Sequence, residues 1–271
     1  KKDLKKILKI LANYKVKIIS SGGTYKEIKK LKYKCLEISD YTNSPEILEG
    51  RVKTLHPKIH AGILSKRKNK SHQNDLKKQN FEEIDLVIVN FYPFEETINF
   101  SKNHSKIIEK IDVGGPTMVR AAAKNYNDVT VITSTNQYNE LINELDKYKG
   151  STSLNFREKM SLEAFSETAY YDAVISNYFN KLKKNNFPKK KIVYGNLVNK
   201  LRYGENPHQE SAIYSVKNSL NIKQIYGKQL SYNNYNDIFS ALTISKSLPS
   251  NSGTVIVKHA TPCGVSIQKN K

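Results

Sequence analysis

Leu4, Ile7, Leu8 and Leu11 recur at three- and four-residue intervals, so the chain enters at once on an amphipathic helix over residues 3–14. Val16–Ser20 reads as a short buried strand. Ser21-Gly22-Gly23-Thr24 then turns into a second helix, with Thr24 and Glu27 at capping-box spacing. Gly50 opens the next stretch and Pro57 sits inside it, so 51–64 is expected to be a shaped loop and not a helix face. A polar helix is predicted near 70–80, an apolar strand over Ile84–Asn90 and a helix near 104–110. Asp112-Val113-Gly114-Gly115-Pro116 opens another helix, with Pro116 suited to its first turn. Asp128–Thr133 reads as strand, 136–148 as helix, and Ser153 to Lys183 as one long amphipathic helix. Strands alternating with helices predict a parallel sheet with helices on both faces.

The alternation breaks over 181–199, where Lys-Lys-Asn-Asn-Phe-Pro-Lys-Lys-Lys marks a linker. Beyond it stand Leu201-to-Gln209 (LRYGENPHQ), a strand at Thr254–Val257 and the string Lys258-to-Gly264 (KHATPCG). The roughly 75 residues past the linker are too few for a comfortable core of their own.

Composition changes this picture in one respect. Basic residues outnumber acidic ones 45 to 25, a formal charge of +20 at pH 7, which raises nucleic acid as a partner. Only five of the 45 are arginine, and the lysines are spread through helices and linkers beside many asparagines. That is a compositional bias on solvated faces, without a zinc finger, an aromatic RNA-binding signature or a basic tail. No nucleic-acid partner is expected. Arg51, Arg120 and Arg202 gain weight instead, because each lies in a Gly/Pro-punctuated segment where a planar fork matters. Cys35 and Cys263 supply neither a disulfide framework nor four zinc ligands. With no apolar run of membrane length and no signal peptide at Lys1-Lys2-Asp3-Leu4, a cytoplasmic, reduced protein without membrane contact is expected.

Candidate chemistry gathers in a few strings. Gly50-to-His60 (GRVKTLHPKIH) can hold an anionic, phosphorylated small molecule and set a cation against its reacting end. Ser20-to-Thr24 joins a strand to a helix N-terminus, which suits a phosphate or a plain turn; it has neither dinucleotide nor Walker spacing. Asp112 either caps its helix or takes part in chemistry. Arg120 and Lys124 share a helix face at i, i+4. Tyr92 stands just past a strand's C-terminal end, where open α/β sheets bind ligands. His259 with Pro262-Cys263 invites comparison with zinc deaminases, but Thr261 and Ser266 stand where that pattern needs Glu and a second Cys, so no metal is expected. Lys258-His259 offers a cation and a base side by side.

Six strings stand here in the order of one family. Ser21-to-Thr24, Gly50-to-His60, Asn90-Phe91-Tyr92-Pro93-Phe94, Ile111-to-Asn125 (IDVGGPTMVRAAAKN), Leu201-to-Gln209 and Val257-to-Val265 together resemble the bifunctional purine-biosynthesis family that combines IMP cyclohydrolase with AICAR formyltransferase. The resemblance covers essentially the whole chain. It implies an α/β architecture in two parts: a methylglyoxal-synthase-like cyclohydrolase domain over 1–183, then, after a linker at 184–199, the start of a cytidine-deaminase-like formyltransferase domain at 200–271. It implies formyl transfer from 10-formyltetrahydrofolate to AICAR, giving FAICAR, and dehydrative closure of FAICAR to IMP. Folate is then a co-substrate, with no bound cofactor and no metal.

By the same resemblance Lys53, Tyr92, Asp112 and Lys124 match the cyclohydrolase catalytic group. Ser21, Gly22, Gly23, Thr24, Arg51, Val52 and Thr54 hold the nucleotide, largely at its phosphate, while Asn90, Phe91, Val113, Gly114 and Gly115 surround the base. Lys1 matches the lysine of the family's first phosphate loop. The strand before it and most of the formyltransferase domain are expected to be absent, so the chain alone is expected not to transfer formyl groups. Arg202 and Tyr203 contact AICAR with Asn234 near it, His259 is the base, and Lys258 stabilises the transition state. The intact protein is implied to be a homodimer. Two rival readings are a lyase or phosphate-sensing domain on the same fold, which leaves residues 201–265 unexplained, and a basic nucleic-acid-binding module with strongly salt-dependent affinity.

Overall fold

Helical spacing at the start of the chain becomes burial: α1 (Leu4–Asn13) packs Ile7, Leu8, Ile10 and Leu11 inward. The computed structural model describes residues 3–216, 220–250 and 253–267, and the chain divides into two compact units, Lys1–Ile192 and Val193–Lys271.

In the first unit, β1 (Ile19–Ser20) is shorter than the apolar run predicts. Val16 and Lys17 stay exposed, and only Ile19 and Ser20 pair, in parallel with β2 (Leu36–Glu37). Between them α2 (Gly22–Lys30) begins earlier than a Thr24–Glu27 capping box requires. Ser21 is the extended N-cap residue, its carbonyl accepts from the Tyr25 N–H at 3.2 Å, and Gly22 makes the turn at φ +52°. A residue with a β-carbon adopts that conformation only at a cost.

After α3 (Ile38–Thr42) comes a second correction. The stretch 51–64 is not loop throughout, because α4 (Pro57–Leu64) starts at the proline itself. Proline at the first helical position forgoes only an N–H that the helix would leave unpaired. His56 is the N-cap, and its Nδ1 accepts the Lys58 N–H at 3.1 Å.

The polar helix α5 (Lys70–Gln79) leads to β3 (Leu86–Ile88), which pairs in parallel with β4 (Thr130–Ile132). Between these strands run α6 (Phe94–Phe100), α7 (His104–Ile108) and α8 (Gly114–Lys124). Then follow α9 (Tyr138–Lys147) and the 29-residue α10 (Leu154–Leu182), capped by Ser153. The core joins α1, β3, β4, α8, α9 and α10 through Leu11, Val87, Val131, Val119, Leu141 and Met160. The buried run Ala121-Ala122-Ala123 lets α10 lie close on α8, where the Ser161 hydroxyl donates to the Ala123 carbonyl at 2.8 Å.

The strands form two separate parallel pairs, β1–β2 and β3–β4. Ile19 and Ser20 on one side and Leu86–Val89 on the other line a cleft of about 1410 Å³.

In the second unit, β5 (Asn196–Lys200) pairs antiparallel with β6 (Ala212–Ser215), and β7 (Gly253–Lys258) with β8 (Thr261–Ile267). α11 (Tyr232–Ser245) packs on the second hairpin. Among the described residues of this unit Leu201 is the one buried apolar side chain, and β8 is exposed along its whole length. Strand β5 begins inside the stretch expected to be linker.

Candidate active site

Four chain segments meet at the cleft of the first unit. Ser21, Gly22, Gly23 and Thr24 come from the entry to α2; Arg51, Lys53 and Thr54 follow a tight turn at Leu48–Gly50. Asn90 and Tyr92 lie just past β3, and Asp112, Val113, Gly114 and Gly115 form the entry to α8. Each parallel pair turns from a strand end into a helix entry, at Ser20-to-Gly22 after β1 and at Asn90-to-Phe94 after β3, and helix N-termini bring unpaired N–H groups with them.

One glycine lets two of these segments touch, and a second makes room for the Asp112 carboxylate within the α8 entry. A β-carbon on Gly114 would collide with the Thr54 hydroxyl, and one on Gly115 would collide with the Asp112 carboxylate. Space, and not a positive φ, requires glycine at both. Lys53 Nζ lies within 3.6 Å of where a β-carbon on Gly22 would stand, so it reaches from its own turn to the α2 entry. Its side chain is only 25 % exposed and pairs with Glu46.

Asp112 does cap its helix: its Oδ1 accepts the Gly115 N–H at 2.9 Å. Its own N–H donates to the Tyr171 hydroxyl at 2.8 Å, which donates in turn to the Lys110 carbonyl at 3.1 Å. Burial pushes the Asp112 carboxyl above the ordinary carboxylate range, and backbone hydrogen bonds from Gly115 and Tyr92 pull it partly back. A carboxyl held in this way is suited to exchanging a proton. Among the histidines, His56 is engaged as a helix cap, and burial lowers the His60 pKa, which favours a neutral ring.

Three predicted residues stand apart from this cleft. Val52 is engaged in a backbone bridge with Ile47. Phe91 packs its ring 5.0 Å from that of Tyr171. Lys124 is exposed at the last residue of α8, about 15 Å along the helix from Gly114 at 1.5 Å per residue. Lys1 lies outside the described residues. Arg120, on the same helix face as Lys124, stacks 5.8 Å from the centre of the Phe165 ring.

Sequence reasoning passed over Glu46, Glu109 and Lys110. Arg51 pairs with Glu109, and Lys110 Nζ sits 5.7 Å from the centre of the Tyr92 ring. Glu109 and Lys110 stand directly before Ile111-Asp112, so nearness to that string was their signal; Glu46 carried none.

In the second unit the Arg202 N–H donates to the Leu230 carbonyl at 3.2 Å, and the Tyr232 N–H to the Tyr203 carbonyl at 3.1 Å. Arg202 and Tyr203 therefore lie against the start of α11. Hydrogen bonds from Ser231 and then Arg202 hold the Tyr203 phenol below its ordinary range. Asn234 serves the helix first: with Ser231 it completes a capping box, its Oδ1 accepting from the Ser231 N–H at 3.0 Å. Lys258 ends β7, and the exposed His259 occupies the hairpin turn. Among the described residues no group of three or more His, Cys, Asp or Glu side chains is arranged to hold a metal, and no helix is long and apolar enough to cross a membrane.

Comparison with known proteins decides the family. A family model described as the AICARFT/IMPCHase bienzyme matches residues 122–271, more than half of the chain, and one described as an MGS-like domain matches residues 3–117. The chain belongs to the AICARFT/IMPCHase bienzyme family. Among its relatives is the bifunctional purine biosynthesis protein PurH of Bradyrhizobium diazoefficiens, 42% identical over 272 residues, a match covering 98% of this chain and 51% of that protein. The PurH protein of Persephonella marina is 46% identical over 261 residues, covering 92% of this chain and 50% of its own. The chain thus spans about half the length of the curated relatives it matches. A solved structure described as the crystal structure of ForH superposes with a TM-score of 0.58 at 28% identity, covering 66% of this chain and 92% of its own. The MGS-like match lies within the first unit, and the bienzyme match runs from the end of α8 through all of the second.

Proposed function

We propose that this chain carries the IMP cyclohydrolase half of a purine-biosynthesis bienzyme over residues 1–183 and, after a linker at 184–199, the start of its AICAR formyltransferase half at 200–271. One observation carries the first part: the α2 entry, the Arg51–Thr54 segment and the half-buried Asp112 converge on a single cleft. In that cleft the α2 N–H groups with Arg51 and Thr54 receive the nucleotide phosphate. The α8 entry, Val113 through Gly115, and Asn90 border the base. Ring closure has the FAICAR carboxamide nitrogen attack the formyl carbon. Two protons, one from the attacking carboxamide nitrogen and one from the formamide nitrogen, pass to the former formyl oxygen; it leaves as water while the ring C=N bond forms, and IMP results. Lys53 and Tyr92 polarise the two oxygens, and Asp112 moves a proton. Val52 and Phe91 support the site from behind. Lys124 carries its proposed share of the proton traffic on the resemblance alone.

For the second half, Arg202 and Tyr203 hold AICAR near Asn234, His259 deprotonates its weakly nucleophilic amine and Lys258 stabilises the developing charge. The formyl donor is 10-formyltetrahydrofolate, used as a co-substrate, and the intact enzyme is a cytoplasmic homodimer. The reading is tested by titrating the chain with IMP and by following FAICAR closure by absorbance. Wild type binds IMP and forms it from FAICAR, and Lys53→Ala loses turnover. Absence of both binding and turnover in wild type overturns the proposal.

A further inference from the structure

The turn that carries His259 is an uncomfortable one. His259 and Ala260 sit at φ +53° and +59°, two successive left-handed residues between the paired Lys258 and Thr261. This is the two-residue type I′ hairpin, which chains usually build from Asn-Gly because a β-carbon at such angles costs roughly 1–2 kcal/mol per residue. A strained turn persists only where its surroundings over-determine it. Here α11 supplies the determinant. Asp237 Oδ1 accepts the Ala260 N–H at 2.7 Å, and the Ser240 hydroxyl donates to the Ala260 carbonyl, also at 2.7 Å. Both polar groups of one residue are thus clamped by side chains three apart on a single helix face. The same helix braces the other string of this unit at its N-terminal end, where the Asn233 amide donates to the Glu205 carbonyl at 3.0 Å.

We propose that Asp237, with Ser240 one turn on, is a positioning residue that holds the Lys258–His259 turn in the conformation from which these two side chains address the aminoimidazole substrate. The inference rests on the formyltransferase reading above, but the clamp itself can be tested apart from it. The carboxylate acts by accepting one peptide N–H, so an amide oxygen in its place should serve and a methyl group should not.

The experiment is amide hydrogen exchange and NMR on the 271-residue chain, wild type beside Asp237→Asn, Asp237→Ala and Ser240→Ala, with melting curves to confirm folding. The Ala260 amide is expected to be protected in wild type and in Asp237→Asn, and to exchange at least tenfold faster in Asp237→Ala. Adding AICAR should move the His259 ring signals in wild type and Asp237→Asn but not in Asp237→Ala. Equal Ala260 protection in wild type and Asp237→Ala, or an unchanged AICAR response in that variant, overturns the positioning role. If Asp237→Ala does not fold, Ser240→Ala decides: it should weaken Ala260 protection and the AICAR response together, and no change in either sinks the idea. A protected Ala260 amide in a wild-type chain whose His259 signals ignore AICAR overturns the proposal that this turn addresses the substrate and leaves the clamp a structural brace.

Discussion

Lys53 in the first unit has a side chain only a quarter exposed and reaches to the α2 entry at Gly22, whereas Lys258 and His259 in the second unit stand exposed on a hairpin tip. The first arrangement is built by exclusion: a packed core lies behind it, and the half-buried Asp112 carboxyl in the same cleft has its pKa raised by lost water. The second is built by hydrogen bonds from one helix to one strained turn, with almost no apolar burial underneath. Burial tunes the chemistry of a group, while a clamp only orients it. The two units therefore call for different perturbations.

The largest contrast is expected in stability. Leu141, fully buried, should cost about 2–5 kcal/mol on truncation to alanine. Ile256, at 60 % exposure in β7, should change stability by less than about 0.5 kcal/mol on the same substitution. Urea melts of the two variants check this, and equal losses would mean the second unit has a core the burial pattern misses.

Chemistry comes next. Lys53→Ala should lower FAICAR closure by about 100-fold or more, as expected for loss of a preorganised charge in a partly desolvated site. Lys124→Ala is its control. A comparable loss in turnover keeps Lys124 in the proton traffic, and turnover within a few-fold of wild type removes it.

Asp112 predicts a pH signature. Its folded pKa is raised, so between the unfolded and folded values the native chain binds more protons than the unfolded one. Stability must then fall as pH rises from the ordinary carboxylate range through the raised value. Asp112→Asn should flatten that decline in a series of melts from about pH 4 upward. A variant curve parallel to wild type would mean Asp112 is as solvated folded as unfolded.

The smallest effect concerns the ion pair between Arg51 and Glu109, whose side chains are 67 % and 56 % exposed. Such a pair is worth about 0–1 kcal/mol, so Glu109→Gln should free the guanidinium and tighten IMP binding by up to about fivefold, less at high salt. Weaker binding in a calorimetric titration would show that Glu109 orients Arg51 and does not compete for it.

Arginine marks the limit of what could be read in advance. Scarcity drew attention to Arg51, Arg120 and Arg202, yet the forks most fully used belong to the other two. Arg67 donates to the Ser65 and Ile84 carbonyls at 2.8 Å, and Arg157 to those of Tyr126 and Asn127 at 2.8 Å, tying distant loops. No local pattern announces the Ile84, Tyr126 and Asn127 partners, because each is a carbonyl from a chain segment brought near by folding.

Pattern alone passed over β2, α3, α6 and α11, but it determined the helices whose apolar positions repeat, the strands that became β1, β3, β4 and β7, and the strings of Gly, Pro, Asp and Lys that became helix entries and turns. These are local properties: periodicity and φ preference act within a few residues. Only the tertiary structure decided that Asp112 is half-buried with its N–H on the Tyr171 hydroxyl, and that Asp237 clamps the His259 turn. Each depends on what a distant segment places against the residue, since desolvation and hydrogen-bond geometry are set across space and not along the chain.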